Sequence, residues 1–363
     1  MPYKISGSKS ETARVIILKE SDWSIESNTV ISGTGAYEIE ELETGNKLVI
    51  SRTNDGEVLG YGVVSSEYYA PTVGDRGIFA SGNSVPGVTI IEYITISTTS
   101  DSTDFGDLTE GRSNCMATSN GITGRGIFGG GGTHPTYSNV IDYITILTPD
   151  NATAFGDLFL TRDSLAATSN SINDRGIFGG GYATIAVNTI DYVTISTTGN
   201  AFDFGDTTVK RYHLTGLSNG TNDRGVFGGG VSSDVIDYIT ISSAANAIDF
   251  GNLTLARYQS GAASNGTGNR GVWAGGANGP LDIIDYITIS STGNAIDFGD
   301  LTVARYGIGG TSNSINNRGV FGGGNSGIND NTIDYITISS TGNAADFGDL
   351  TLKRTGVTAT ANA

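Results

Sequence analysis

One cysteine, Cys115, in 363 residues excludes an internal disulfide, and two histidines leave little from which to build a metal centre. No apolar run is long enough to cross a membrane, so membrane insertion is not expected. Met1-Pro2-Tyr3-Lys4-Ile5-Ser6 leads straight into polar sequence, so no secretory signal is expected either. Basic charge is also scarce: 20 Lys and Arg stand against 37 Asp and Glu, for a net charge of −17. A nucleic-acid-binding face needs charge that neutralises phosphates, and this composition excludes one.

What the chain has in quantity is glycine, 54 residues of it, and the glycines fall in a pattern. The phrase Arg-Gly-Val/Ile-Phe/Trp-Gly/Ala-Gly-Gly recurs from Arg125, Arg175, Arg224, Arg270 and Arg318, with a variant from Arg76, in steps of 46 to 50 residues. A fixed period of this length marks a repeat architecture. Each period carries a small-residue stretch, the arginine phrase, an Ile-Asp-Tyr-Ile-Thr-Ile phrase and an Asp-Phe-Gly-Asp phrase, separated by Gly, Asn, Asp and Ser clusters. Short β-branched and aromatic runs bounded in this way read as strands joined by turns. Four strands per period make one propeller blade; coils of parallel β-helices are usually far shorter.

The fold expected is therefore all-β, a six-bladed β-propeller over residues 69–363. The stretch from Arg354 to Asn362 lines up with Arg305 to Asn313, so it is expected to supply the innermost strand of the blade that begins at Arg76. Closure of that kind removes the unpaired edge an open array would expose. The region resembles the kelch-type propeller family. The resemblance is carried by the glycine doublets in Phe128-Gly129-Gly130, Phe178-Gly179-Gly180, Phe227-Gly228-Gly229, Trp273-Ala274-Gly275 and Phe321-Gly322-Gly323, and by an arginine before each small-residue strand. The late Tyr and Trp of the kelch pattern are missing, and the fold hosts enzymes, adaptors and structural proteins alike.

Residues 1–68 lie outside the period and read as five short strands: 14–18, 28–32, 36–40, 47–51 and 57–61. A small N-terminal β-sandwich is expected there. In strand content it resembles the carboxypeptidase-regulatory type of mini-sandwich, and domains of this size fold alone but marginally.

Of the 14 basic residues in the propeller region, twelve recur: Arg76, Arg125, Arg175, Arg224, Arg270 and Arg318, and a second set, Arg112, Arg162, Arg211, Arg257, Arg305 and Arg354. A charge repeated in every blade reads as structural, and ion pairs with the Asp-Phe-Gly-Asp or Ile-Asp-Tyr aspartates are expected. Enzyme readings lack parts. Copper oxidases on kelch propellers need Tyr, His and Cys ligands, and here only His134, His213 and Cys115 are on offer. Sialidase-like propellers need an arginine cluster unlike its surroundings. The Asp-Phe-Gly-Asp phrases resemble short acidic calcium loops, yet they vary and read as turn chemistry, since calcium takes six to eight oxygens. No cofactor and no metal are expected, and Cys115 reads as a buried filler.

What differs between repeats is the loop from second to third strand, and all six of these loops should share one face of the ring. Recognition usually sits on loops held by a rigid scaffold, although loop drift would also produce the variation. His134, Tyr137, Tyr182, Asn278, Asn325 and Asp330 are the candidate binding residues, because aromatic side chains stack on sugars or anchor protein contacts.

The combination of a short N-terminal sandwich with blades phrased Ile-Asp-Tyr-Ile-Thr-Ile and Gly-Asn-Ala-Ile-Asp-Phe-Gly-Asp-Leu resembles structural proteins of tailed bacteriophages, particularly marine ones. The resemblance implies a non-enzymatic virion protein (fibre, tail or head decoration). Its N-terminal domain would dock on other virion proteins, its propeller would meet a host-surface glycan or protein, and it could form a homo-oligomer. The alternatives are a carbohydrate-active or metal-dependent propeller enzyme, or a cellular kelch-like interaction protein.

Overall fold

The structure, a computed structural model, describes residues 75–363 except 84–86, 120–123, 134, 171–172, 219, 221–222, 266–268, 313–316 and 362–363. Of residues 1–74 it describes only the backbone of six strands between Tyr3 and Val64, so the sandwich expected over residues 1–68 lies outside the described residues. The chain divides into two compact units, Met1–Ala70 and Pro71–Ala363.

The second unit is a six-bladed β-propeller of four-stranded antiparallel blades. Blade 2 is typical, running Met116–Ser119, Arg125–Gly129, Val140–Thr145 and Thr153–Asp157 from the inner strand to the outer. Blades 3 to 6 open with the inner strands Ala166–Ser169, Thr215–Leu217, Gly261–Ser264 and Gly309–Ser312. In blade 1 the order is Thr358–Ala361, Arg76–Ala80, Ile90–Thr95 and Thr103–Asp107, with Thr358 opposite Ala80 and Ala361 opposite Gly77. The inner strands lie side by side around the axis, Thr358–Ala361 between those of blades 6 and 2. Hydroxyls join several of them: Ser119 donates to the Ala361 carbonyl, Ser169 to Ser119, Ser264 to Ser218 and Ser312 to Ser264.

Most of the repeated residues meet at the seams between blades. The buried aromatic of each second strand presses on a small residue of the blade before it. A Cβ on Gly228 would lie 2.7 Å from Trp273, and one on Gly129 would lie 2.7 Å from Phe178. Glycine stands there because nothing larger fits beside the ring.

A second seam contact is ionic. Arg112, Arg162, Arg211, Arg257, Arg305 and Arg354 are buried and pair at 2.5 to 3.2 Å with Asp142, Asp191, Asp237, Asp285, Asp334 and Glu92 of the blade that follows. These acids are equally buried and take further bonds. The Thr208 amide (3.1 Å) and hydroxyl (2.5 Å) both donate to Asp237, and Thr109, Thr254, Thr302 and Thr351 serve their own partners in the same way. Blade 3 departs from this. Phe159 replaces the threonine, is 64% exposed, and leaves Asp191 Oδ1 without a partner among the described residues. Burial pushes the Asp191 carboxyl above its usual range despite Arg162. The substitution Phe159→Thr should therefore stabilise the protein by about 1 kcal/mol, read as a higher urea midpoint at unchanged slope.

The other six arginines correct the expectation of aspartate partners. Each guanidinium of Arg76, Arg125, Arg175, Arg224, Arg270 and Arg318 lies 4.3 to 4.7 Å over its own blade's tyrosine: Tyr93, Tyr143, Tyr192, Tyr238, Tyr286 or Tyr335. Each then donates across the seam, at 2.9 to 3.1 Å, to the carbonyl of Ile146, Ile195, Ile241, Ile289, Ile338 or, from Arg318 back to blade 1, Ile96. A guanidinium suits this place because it stacks through its face and bonds through its edge.

The Asp-Phe-Gly-Asp phrases are bulged outer strands rather than turns. In blade 2, Ile141 faces Gly156 and Asp142 faces Ala154, so Phe155 is the extra residue and turns into the core. The amide of the last residue donates to an asparagine of the next blade, as Asp157 does to Asn200 at 3.1 Å and Asp206 to Asn246 at 3.0 Å. At the seam between blades 6 and 1 the acceptor is Asp101 instead, bonded by the Asp349 amide at 3.1 Å. There, burial and then Asp101 and Asp346 push the Asp349 carboxyl upward. Among the described residues no group of three His, Cys, Asp or Glu side chains could hold a metal ion, and no helix is long and apolar enough to cross a membrane.

Candidate functional site

The face that carries the varied loops is organised by the two residues after each buried arginine. The first of them pairs with the loop of its own blade: Tyr182 and Asp163 exchange amide-to-carbonyl bonds of 2.9 and 3.1 Å, and Tyr258 and Ala277 exchange bonds of 2.8 and 3.4 Å. The next residue is in the left-handed conformation in every blade: Asn114, Ser164, His213, Gln259, Gly307 and Gly356, with φ between 53° and 69°. Their backbones run head to tail around the axis. Ser164 donates to Asn114 at 3.0 Å, His213 to Ser164 at 2.7 Å, Gln259 to His213 at 3.0 Å, Gly307 to Gln259 at 2.8 Å and Gly356 to Gly307 at 2.9 Å. A left-handed backbone is costly for residues with a Cβ, and here the bonded ring holds it in place.

Aromatic side chains beside this ring touch one another along part of it. Tyr137 meets Tyr182 edge-on with centroids 5.9 Å apart, and Tyr182 lies 5.1 Å from Tyr212. Tyr212 lies 5.2 Å from His213, which stacks on Tyr258 at 5.8 Å and 27°. The result is an unbroken half-buried arc over blades 2 to 5. Burial, then Asp163 and Tyr182, push the Tyr137 hydroxyl above its ordinary value.

Of the candidate residues, Tyr137 and Tyr182 are brought together in the arc, and His134 lies outside the described residues. Asn278 is exposed and donates to the Ala256 carbonyl at 2.8 Å. Asn325 exchanges backbone bonds with Tyr306 (2.8 and 3.2 Å) and accepts the Gly327 amide at 2.8 Å. Asp330 accepts the Thr332 amide at 3.0 Å and hydroxyl at 2.8 Å. Burial alone would raise its carboxyl, but those bonds and Arg305 bring it below the usual range. Asn278, Asn325 and Asp330 thus brace the loops of blades 5 and 6. Cys115 is 1% exposed, and burial pushes its thiol up. It is a protonated filler rather than a nucleophile.

Sequence reading missed Tyr212, His213 and Tyr258. A signal was present: the second-set arginine is followed by tyrosine in blades 4, 5 and 6, and by Ser113, Asp163 and Thr355 in the others. A residue that breaks an otherwise strict repeat marks a local requirement.

His213 also carries a pH prediction. Burial pulls its pKa from 6.5 down to about 4, and no charged neighbour contributes. Below pH 6.5 the unfolded chain takes up a proton that the folded one refuses, so stability falls between pH 6.5 and about 4 and is flat above. The loss is at most about 3 kcal/mol. The variant His213→Asn, which keeps a residue tolerant of the left-handed backbone, should lack this component when urea midpoints at pH 7 and pH 4.5 are compared.

No protein-family model matches the chain, and no curated protein sequence matches it.

Proposed function

We propose that the protein is a non-enzymatic virion component of a tailed bacteriophage, a kelch-type propeller closed by its C-terminal strand that presents its loop face to the host surface. In this reading residues 1–68 dock on other virion proteins and Thr358–Ala361 is the closing strand. The observation that carries the reading is the division of labour between repeated and unrepeated residues. The repeated arginines, aspartates, glycines and aromatics take part in seam contacts, while several residues that differ between repeats, Tyr137, Tyr182 and His213 among them, form an aromatic arc with Tyr212 and Tyr258. Half-buried tyrosines on a rigid ring give contact area at low entropic cost, which suits glycan or protein recognition. The phage resemblance of the repeated phrases supports the virion setting.

Cryo-electron microscopy of purified particles tests it. A six-bladed disc attached on the side of residues 1–68, with the loop face outward, is the expected result; a protein found only in the free soluble fraction overturns the virion assignment. In parallel, Tyr182→Ala should weaken attachment to host cells at least tenfold while the melting temperature moves by only a few degrees.

A further inference from the structure

Where the second strands begin, at the end away from the varied loops, the tyrosine-stacked arginines meet different neighbours in different blades. Arg270 lays its face on Tyr286 at 4.3 Å and gives Nη1 to the Ile338 carbonyl at 3.0 Å; among the described residues its remaining nitrogens have no partner. The Ile338 amide in turn bonds the Asn317 carbonyl at 2.8 Å. Two positions therefore flank the guanidinium: the residue before its own strand, Asn269, and the equivalent residue of the next blade, Asn317. Through the six blades these positions hold Asp75, Gly124, Asp174, Asp223, Asn269 and Asn317. Arg270 is the one arginine of its set with no acid at either.

The exchange of aspartate for asparagine also reverses a hydrogen bond. In blades 1, 3 and 4 the serine after the third strand gives both its amide and its hydroxyl to the aspartate: Ser97 to Asp75, Ser196 to Asp174 and Ser242 to Asp223. In blades 5 and 6 the carboxamide donates instead, Asn269 to the Ser290 oxygen at 2.5 Å and Asn317 to the Ser339 oxygen. The carboxamide oxygens fix these orientations, because one accepts the Ser290 amide at 2.9 Å and the other the Asn265 carboxamide at 2.6 Å. The hydroxyl protons of Ser290 and Ser339 are left without an acceptor among the described residues. Ser339 is exposed and directly follows the residue that Arg270 binds. Arg224 stands in the same relation to Ser290, with Nη1 on the Ile289 carbonyl at 2.9 Å.

We propose that Arg270 and Ser339 together receive a carboxylate of an acidic protein segment, and that Arg224 and Ser290, one blade earlier, receive a second. A guanidinium edge and a hydroxyl proton offer donors only, which suits an anion. The planar fork, held by the ring beneath it, matches a carboxylate. In three other blades the chain seats a carboxylate of its own beside the equivalent serine. Asp223, next to Arg224, makes the second seat the weaker of the two. The site is separate from the loop face and does not rest on the attachment reading.

The test is calorimetric titration of the full chain with a hexaglutamate peptide, at low salt where exposed charges are least screened. Hexaglutamine is the neutral probe and pyrophosphate the competing anion. The decisive variant is Asn269→Asp with Asn317→Asp, which installs the acids of blades 1, 3 and 4, recaptures both serine protons and leaves the arginines in place. Its melting curve should be unchanged, since aspartate already occupies this position in three blades. Asn252→Asp is the control for net charge: it adds an exposed acid on the outer strand of blade 4, where other blades carry aspartate. Hexaglutamate should bind at least tenfold more tightly than hexaglutamine and more tightly than pyrophosphate. The double variant should lose about tenfold, and Asn252→Asp less than twofold. Absence of hexaglutamate binding, equal binding of hexaglutamine, preference for pyrophosphate, a double variant that binds like the parent, or an equal loss in Asn252→Asp would each overturn the assignment.

Discussion

Replacing Asp237 by alanine should lower stability by about 3 to 5 kcal/mol, enough to unfold much of a domain of ordinary stability at 37 °C. The Arg211 guanidinium and the Asp237 carboxylate are both removed from solvent and lie 2.8 Å apart. Without the carboxylate the cation stays buried with only the Val235 and Phe227 carbonyls, 2.6 and 3.3 Å away, and the Thr208 amide and hydroxyl lose their acceptor. The control is Asp249→Ala on the outer strand of the same blade, an exposed aspartate whose loss should cost less than about 0.5 kcal/mol. Urea melts followed by tryptophan fluorescence read both, since Trp273 is fully buried at the neighbouring seam. Replacing both partners, Arg211→Met with Asp237→Leu, should recover most of the loss, because the penalty comes from the orphaned charge rather than from the missing bond. Equal melting of Asp237→Ala and Asp249→Ala would show that the seam pairs contribute nothing.

A chain ending at Val357 is the second large effect. Without Thr358–Ala361, the strand Arg76–Ala80 loses its pairing from Gly77 to Ala80, and the buried residues Ile78, Phe79 and Ala80 come to an open edge. Contacts that pass through this position on the way around the ring lose their support, among them the Ser119 hydroxyl on the Ala361 carbonyl and the Arg354–Glu92 pair next to it. The expected cost exceeds about 5 kcal/mol, the scale of a whole domain's stability. An exposed strand edge also invites pairing with another copy. Light scattering after size exclusion should therefore show species of higher mass than the full-length protein, and a synthetic peptide of residues 354–363 added in trans should restore the full-length mass. A truncated chain that keeps the full-length mass and melts with the full-length protein would remove the closing role assigned to this strand.

The periodic part of the fold was legible because a propeller states each requirement six times. The strands, their order and the alignment of Arg354–Asn362 with Arg305–Asn313 all follow from phrases in fixed register, and a strand's pattern depends on its nearest neighbours in sequence. The partners of the arginines were not legible. Arg211 and Arg224 lie thirteen residues apart in the same repeat; one is buried on Asp237 and the other stacks on Tyr238, the adjacent residue of the same strand. Adjacent strand residues face opposite sides of a sheet, so only the placement of each arginine relative to the next blade decides which one it meets.

The candidate site divides in the same way. Variation between loops singled out Tyr137 and Tyr182, which the fold brings into contact, since departures from a repeat show in sequence wherever they occur. Tyr212, His213 and Tyr258 come from two further repeats and join those two only because the ring bends consecutive blades around one axis. The left-handed ring of Asn114, Ser164, His213 and Gln259 is likewise invisible in sequence, because four residue types share one backbone state imposed by the bonds between blades. By itself, the sequence determined the repeat, its strands and the places where the repeat breaks. Tertiary structure alone decided which of those breaks meet, since contacts across a seam depend on blade twist and placement around the axis, quantities that no single period contains.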